Sequence, residues 1–309
     1  MTQKTTGIPK ALFKPRHWPT WMGIGLFWLV SQLPQSMRHR LGMATGRLAW
    51  RFNHKRRHII DVNLQRCFPE WTQPTRDRVN CQHFQEMGRV IFDLGLIWFG
   101  HDKKLLSAIE LSGWAHYQAA RAEGKNIILH VAHSAALDFG AMAVGSREAG
   151  LGPYKEAKNP LVDWFVSRGR RRFGNAVFER RDGMIAYVRA LKKGKLLYTL
   201  SDEDHGPAQS VFAPFFGQPK ATLPMVGRLA KVTQAAVLPV MTYYDEASGK
   251  YQTRIGAALD NFPSNDAIQD ATQLNMALET MIRCAPEQYM WTLRLFRTQQ
   301  DGKKIYHYR

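Results

Sequence analysis

One histidine occupies a position from which it could act as a general base. His133 directly follows the apolar run 126–132, and Asp138 comes five residues later, where the next helical stretch begins. A histidine at the end of a buried strand can take a proton from an attacking hydroxyl, and a neighbouring carboxylate can hold the imidazole in the required tautomer. His133 and Asp138 are therefore the predicted catalytic residues.

The spacing between these two residues carries little information by itself. The chain has 11 histidines and 25 acidic residues among 309, so about one histidine with an acid five positions later is expected by chance. Five residues of a continuous helix rotate by about 140°, so the two side chains can meet only if His133 precedes the helix. The alternative is a structural histidine, hydrogen-bonded near an Asp that caps a helix.

No covalent nucleophile is evident beside this base. Ser134 adjoins His133 in sequence, which is an unfavourable geometry for a nucleophile and its base, and the chain has no G-x-S-x-G sequence. The pattern favours direct attack by a hydroxyl without a covalent intermediate.

Further polar residues lie where they could contact a substrate. Asn159-Pro160 is typical of a helix start, and the helix that it opens carries a cluster of arginines, whose guanidinium groups bind phosphate and carboxylate through paired hydrogen bonds. Asp202 and Asp204 follow the apolar run 195–200. The alternatives are a solvated basic helix end and an Asp-rich loop start. The candidates for substrate binding are therefore Asn159, Asp202, Asp204 and the arginines of this cluster, which are Arg168, Arg170, Arg171 and Arg172.

Three short apolar runs indicate how these residues are brought together. The runs are 126–132, 195–200 and 236–240, and helical stretches separate them. This alternation predicts an α/β fold in which a central mixed, mostly parallel sheet is flanked by helices. Ligands of such sheets bind outside the carboxyl ends of the strands, so the chemistry is expected where each run stops.

The chain before residue 111 has a different character. No charged residue lies between Trp18 and Met37, which predicts an N-terminal membrane helix or an amphipathic helix in the membrane plane. The stronger positive flank after this stretch favours a cytoplasmic main domain. The predicted domains are a membrane anchor at residues 1–37, a basic helical region packed on the core at 38–110, and a catalytic α/β domain at 111–309.

The composition favours an anionic lipid surface as a partner. Lys and Arg total 43 against 25 Asp and Glu, a formal charge of +18. The sequence has no zinc-finger cysteine spacing, RRM-like strand or isolated basic tail, so nucleic acid is not expected. Its basic residues accompany Trp and Phe, as in proteins that touch anionic lipid. Three widely spaced cysteines predict neither a disulfide framework nor a CxxC metal site, and we expect no metal or cofactor.

The whole chain resembles the lipid A late acyltransferases, the lauroyl and myristoyl transferases of Gram-negative lipopolysaccharide synthesis. His133 to Asp138 matches the H-x4-D/E motif of this family, in which many members have Glu at the position of Asp138. The other segments that carry the resemblance are 159–164, 169–172, 202–207, 211–216 and 285–291.

The resemblance implies transfer of a secondary acyl chain, with lauroyl expected, from acyl carrier protein to the 3-hydroxyl of an acyl group on a Kdo-bearing lipid A precursor. His133 would be the base and Asp138 its partner, while Arg170 and Asp202 match polar positions that the family needs for activity, with Arg172 a further candidate. Together with the residues above, the predicted substrate-binding residues are Arg170, Asp202, Arg172, Asn159 and Asp204. It also implies the inner membrane as location, with the catalytic domain on its cytoplasmic side. An apolar groove for the chain is expected beside His133, because each buried CH₂ contributes about 0.8 kcal/mol.

Two other functions fit parts of the sequence. Asp202-Glu203-Asp204 is similar to the D-x-D metal ligand of many glycosyltransferases, in which paired carboxylates hold Mg²⁺ or Mn²⁺ on a nucleotide sugar. Such an enzyme would lose activity with a chelator, whereas acyl transfer by a histidine base would not. A basic membrane adaptor without enzymatic activity would still work after His133→Ala.

Overall fold

Among the residues that the structure describes, five α-helices precede the first strand of the sheet. The computed structural model describes residues 7–179 and 183–307, so residues 1–6 of the predicted anchor lie outside the described residues. Side chains cap two of the helices, since Asn53 accepts the Arg56 N–H at 3.1 Å and Thr72 accepts the Thr75 N–H at 3.4 Å. The helices are α1 (Trp18–Ser31), α2 (Gln35–Phe52), α3 (His54–Cys67), α4 (Gln73–Trp98) and α5 (Asp102–Ser107). Helices over residues 38–110 are thus confirmed, while the division into domains stays a prediction.

Helices α2 and α4 pack with their backbones in direct contact. A methyl group added at Gly88 would lie 2.0 Å from the carbonyl oxygen of Gly42, and one added at Gly46 would lie 2.1 Å from that of Phe84. Only a hydrogen fits at these positions, so glycine allows the close approach. Other residues of α2, among them Leu48 and Phe52, are exposed.

A seven-stranded sheet forms the centre of the rest of the chain. Its strands are β1 (Ile109–Ser112), β2 (Asn126–Val131), β3 (Gly150–Tyr154), β4 (Ala176–Glu179), β5 (Leu196–Thr199), β8 (Ala235–Asp245) and β9 (Lys250–Ile255), in the order β1-β9-β8-β2-β5-β3-β4. All neighbours are parallel except β8 and β9. Strands β6 (Val211–Phe215) and β7 (Gln218–Thr222) form a separate antiparallel hairpin. The predicted mixed, mostly parallel sheet is confirmed.

Helices cover both faces of this sheet. Alternate side chains of β2 point to opposite faces, so Leu129 packs in one apolar cluster with Tyr117, and Ile128 packs in another with Leu229. All six residues 127–132 are almost fully buried, which explains why apolar residues do not alternate with exposed polar ones in this run; His130 is its buried polar member. The helices around the sheet are α6 (Trp114–Ala122), α7 (Leu137–Gly145), α8 (Pro160–Arg170), α9 (Gly183–Lys192), α10 (Met225–Thr233) and α11 (Ala267–Ile282).

The uncharged stretch from Trp18 to Met37 is not one continuous helix. It contains α1, which ends at Ser31, and the first residues of α2, which begins after Pro34. Within the part of the chain that the structure describes, no helix combines the length and the apolar character needed to cross a membrane. The predicted membrane helix is therefore unconfirmed.

Candidate active site

His133 lies at the carboxyl edge of the sheet, between β2 and α7. Strand β2 ends at Val131 and α7 begins at Leu137, so His133 precedes the helix as its predicted role requires. Backbone hydrogen bonds fix this turn, because Met290 N–H donates to the His133 carbonyl at 2.7 Å and Ala135 N–H donates to that of Gln288 at 3.0 Å. Residues 285–298, which we call the C-terminal segment, therefore hold the histidine in place.

Asp202 is the carboxylate that contacts the imidazole. Its Oδ1 is hydrogen-bonded to His133 Nδ1, while its Oδ2 accepts the backbone N–H of His133 and the hydroxyl of Tyr289, each at 2.9 Å. The side chain of Asp202 is only 1% exposed. Burial alone would raise the pKa of Asp202, but the charge and hydrogen bonds of His133, together with Lys220, hold it well below its usual range. An ionised Asp202 keeps the proton on Nδ1, which makes Nε2 the nitrogen that can act as a base.

Asp138 has a different partner from the one that its spacing indicated. Arg170 donates to both of its oxygens, from Nε to Oδ1 at 2.8 Å and from Nη2 to Oδ2 at 3.1 Å. The prediction that Asp138 orients the imidazole is corrected in this respect, because Asp202 fills that position. The physical reason is that the first turn of α7, which carries Asp138, faces the end of α8, which carries Arg170. Strand β5 is parallel to β2, so the residues after β5 place Asp202 at the sheet edge beside the end of β2. A part for Asp138 in catalysis, through Arg170, stays a prediction.

Two residues that sequence reasoning did not single out stand around the other side of the imidazole. Glu203 Oε1 lies 3.4 Å from His133 Nε2, and Glu203 Oε2 lies 4.0 Å from His205 Nε2. A carboxylate this close to Nε2 favours the imidazolium that forms when the base takes a proton. Both residues belong to the segment 202–207, so its position after β5 was the available signal.

A cavity of about 260 Å³ opens beside this group. His133, Glu203, His205 and the pair Asp138–Arg170 line it at the carboxyl edge of the sheet. The rest of its wall is mainly apolar and comes from α7 and from strands β3, β4 and β5; it includes Leu137, Ala141, Val144, Leu151, Ala176, Val177, Leu196 and Leu200. The predicted apolar groove beside His133 is confirmed.

The comparisons with known proteins agree with this geometry. A family model described as bacterial lipid A biosynthesis acyltransferase matches residues 6–298. The chain belongs to this family. It is 38% identical over 297 residues to a lipid A biosynthesis acyltransferase of Haemophilus influenzae, an alignment that covers 95% of this chain and 92% of that relative. It is 36% identical over 301 residues, 96% of this chain and 98% of the relative, to the lipid A biosynthesis lauroyltransferase of Escherichia coli.

A further relative carries the name of another acyl chain. The lipid A biosynthesis palmitoleoyltransferase of Escherichia coli is 30% identical over 290 residues, 94% of each chain. Members of this family are acyltransferases, so the prediction that the protein is an acyltransferase is confirmed. The alternative of a membrane adaptor without enzymatic activity is not confirmed. The glycosyltransferase interpretation is not supported, because the matching family and these relatives are acyltransferases. Asp202 is hydrogen-bonded to His133 and Tyr289, and Asp204 accepts hydrogen bonds from Thr298.

Asp204 makes hydrogen bonds within the protein, in the loop around the site of this lipid A acyltransferase. It accepts the Thr298 N–H at 2.5 Å, the Thr298 hydroxyl at 2.7 Å and the Gly206 N–H at 2.9 Å. These bonds join the loop after β5 to the C-terminal segment. The predicted contact of Asp204 with substrate stays a prediction, since the structure accounts for its carboxylate by internal bonds.

Arg172 and Asn159 likewise make internal contacts. Arg172 Nη1 donates to carbonyl oxygens at the end of α4, including those of Ile97 at 3.0 Å and Gly100 at 2.9 Å, and Nη2 pairs with Asp102. The Ile97 carbonyl is one of the acceptors that the end of α4 leaves unsatisfied. Asn159 caps α8 by accepting the Leu161 N–H at 3.0 Å, which explains the helix start that was predicted there. Of the five predicted substrate-binding residues, Arg170 lines the described cavity.

Proposed function

We propose that this lipid A biosynthesis acyltransferase moves a lauroyl chain from acyl carrier protein to the 3-hydroxyl of an acyl group on a Kdo-bearing lipid A precursor. His133 acts as the general base and Asp202 orients it. The observation that supports this most strongly is the imidazole held by a buried carboxylate at the mouth of an apolar cavity. A fatty chain in the cavity would bring its thioester to the imidazole.

In the proposed transfer, His133 takes one proton from the acceptor hydroxyl and then gives it to the leaving thiolate. The hydroxyl oxygen of the acceptor attacks the thioester carbonyl carbon as its proton passes to His133 Nε2. The C–S bond then breaks, and the thiolate of the carrier takes the proton from the imidazolium. The products are a new ester and a free thiol, and His133 returns to its starting state. A general base in this role contributes about 10²–10⁴ in rate.

Arg170 positions the reacting groups in this proposal. Its guanidinium lines the cavity and is held by both oxygens of Asp138. Burial alone would lower the pKa of Arg170, but Asp138 and the hydroxyls of Tyr154 and Tyr198 raise it, so the cation is retained. A fixed cation at the mouth suits the phosphates or carboxylates of the acceptor, or the acidic carrier.

We also propose that the protein works on the cytoplasmic side of the inner membrane, with α1 and α2 lying on the bilayer. One side of α1 exposes a stripe at helical spacing that includes Trp18, Met22 and Leu26. Exposed residues of α2 combine apolar side chains such as Phe52 with cations such as Arg51. This pairing fits an apolar layer beside anionic lipid head groups.

Mass spectrometry of the purified protein tests the reaction. Wild type is incubated with lauroyl acyl carrier protein and the tetra-acylated, Kdo-bearing precursor, and we expect one added lauroyl group. His133→Ala should abolish this product in a protein that still folds, as checked by circular dichroism, although loss of the partner of the buried Asp202 should lower the melting temperature. His101→Ala, which removes an exposed histidine outside the cavity, should keep full activity. A His133→Ala variant as active as wild type would refute the assignment of the base.

Flotation with lipid vesicles tests the membrane proposal. Wild type should bind vesicles that contain anionic lipid and bind neutral vesicles less. The double variant Met22→Glu/Leu26→Glu places charges on the exposed stripe of α1 and should release the protein. Equal flotation of the variant and wild type would contradict this face as the docking surface.

A further inference from the structure

The cavity extends along the strands from their carboxyl edge. Leu196 and Leu200 both line it; Leu196 is the first residue of β5, and Leu200 directly follows the strand. His133 marks the carboxyl edge of the sheet, and β2 and β5 are parallel with Ile128 level with Leu197. The end of the cavity at Leu196 is therefore the end farthest from the imidazole.

Helix α7 forms the opposite wall of the cavity and extends from the imidazole to the far end. Leu137, Ala141 and Val144 line the cavity and recur at the spacing of one helix face. The helix starts beside the imidazole, so Leu137 is near the mouth and Val144 is at the far end. Small side chains along this wall and along β3, such as those of Ala141 and Gly152, leave the space between them open.

Asn175 holds the far end of the cavity together. Its Oδ1 accepts the Gly150 N–H at 2.9 Å, and its Nδ2 donates to the Ala141 carbonyl at 3.3 Å. These bonds tie the residue before β4 to the start of β3 and to α7. We call the group of lining residues at this end the floor; it consists of Val144, Gly150, Asn175, Ala176 and Leu196.

The depth of the cavity follows from the geometry of its walls. A helix rises about 1.5 Å per residue, which puts Val144 about 10 Å along α7 from Leu137. A strand advances about 3.3 Å per residue, which puts Leu196 about 13 Å from Leu200. A staggered hydrocarbon chain advances about 1.25 Å per carbon, because its bonds are about 1.5 Å long and its angles about 111°. These walls accept about eight to ten carbons, and a chain whose first two carbons lie at the imidazole would have about ten to twelve in all.

We propose that the floor determines which acyl chain length the enzyme prefers and that the side chain of Val144 limits how far the chain can enter the cavity. This inference rests on the proposed function, in which the cavity holds the acyl chain of the donor. A chain longer than the cavity would leave methylenes unburied or would draw the thioester away from His133. A shorter chain would leave apolar surface uncovered, at a loss of about fourfold per methylene, the equivalent of about 0.8 kcal/mol.

A series of donors with different chain lengths tests whether Val144 limits the length of the acyl chain. Acyl carrier proteins loaded with saturated chains of about eight to sixteen carbons are given to each variant, and kcat/KM is measured for each chain. Wild type should prefer the chain of about ten to twelve carbons that the walls predict. Val144→Ala removes two methyl groups from the floor and should move the optimum about two carbons longer. Val144→Phe fills the floor and should move it about two to four carbons shorter, with about a 15-fold loss on the lauroyl donor for two displaced methylenes.

The controls separate this inference from the proposed function. Val232→Ala and Val232→Phe make the same changes at an exposed valine of α10 and should keep the wild-type optimum. Wild type that transfers no chain from any donor would refute the proposed function and the inference with it. Active variants at Val144 that keep the wild-type optimum would refute the chain-length role alone. If Val144→Phe does not fold, the Val144→Ala shift decides the outcome.

Discussion

Asp202→Asn changes the imidazole tautomer while keeping the shape of the site. Two of the three donors around Asp202, the His133 N–H and the Tyr289 hydroxyl, meet at Oδ2. An Asn carbonyl oxygen placed there keeps both bonds, which turns the amide NH₂ toward His133 Nδ1. An NH₂ group can only donate, so Nδ1 must become the acceptor and the ring proton moves to Nε2. The nitrogen that faces the substrate then cannot take a proton.

The expected loss is the whole contribution of the general base. Asp202 is buried, so water cannot take the place of its carboxylate beside the ring. A general base contributes about 10²–10⁴ in rate, which corresponds to about 3–5.5 kcal/mol of transition-state stabilisation. Substrate binding should change little, because Asp202 is not among the residues that line the described cavity.

Initial rates measured by mass spectrometry over a range of donor concentrations provide the assay. Asp202→Asn should lower kcat, whereas KM should stay near the wild-type value because Asp202 does not line the described cavity. Asp270→Asn is the matched control, since it removes another buried carboxylate, one that accepts the Ser264 N–H at 2.7 Å away from the site. A kcat for Asp202→Asn within about tenfold of wild type would refute the reasoning, and a larger loss in Asp138→Asn would restore Asp138 as the orienting carboxylate.

Three other outcomes are expected. Arg170→Ala should lower activity by about 10²-fold through misplaced substrate and loss of the Asp138 partner, whereas the exposed Arg168→Ala should not; a normal rate in Arg170→Ala would remove it from the site. Activity should persist in excess EDTA, and a loss that Mg²⁺ reverses would contradict a base that needs no metal. Burial lowers the pKa of His83 and His130 to about 4, so both are neutral in the fold and the stability that this provides is present above pH ~6.5 and lost as the pH falls toward 4. Urea unfolding should show a loss on the order of 3 kcal/mol per histidine over that range, partly offset by Glu86, whose pKa burial raises to about 7, and unfolding free energies that do not fall would count against it.

Several features of the molecule could be predicted because their causes are local. The apolar run 126–132 forms a buried strand because it must satisfy its backbone inside a sheet that is covered on both faces. Asn159-Pro160 starts α8 because the side chain caps the first N–H groups. The place of His133 between a strand and a helix follows from the same two patterns, and the motifs along the chain were sufficient to identify the family.

The partners of the catalytic side chains depend on contacts between distant segments. Asp138 is close to His133 in sequence, yet Asp202 meets the imidazole because parallel pairing of β2 and β5 brings the two strand ends together. The helices decide the partner of Asp138 in the same way, since α8 places Arg170 against α7.

The sequence by itself determined three buried strands of the sheet, the start of α8 and the position of the base, because each arises from residues that are neighbours along the chain. Only the tertiary structure decided which carboxylate orients His133 and how deep the cavity is. Both depend on how strands and helices pack, and periodicity within one segment does not encode the distance to another.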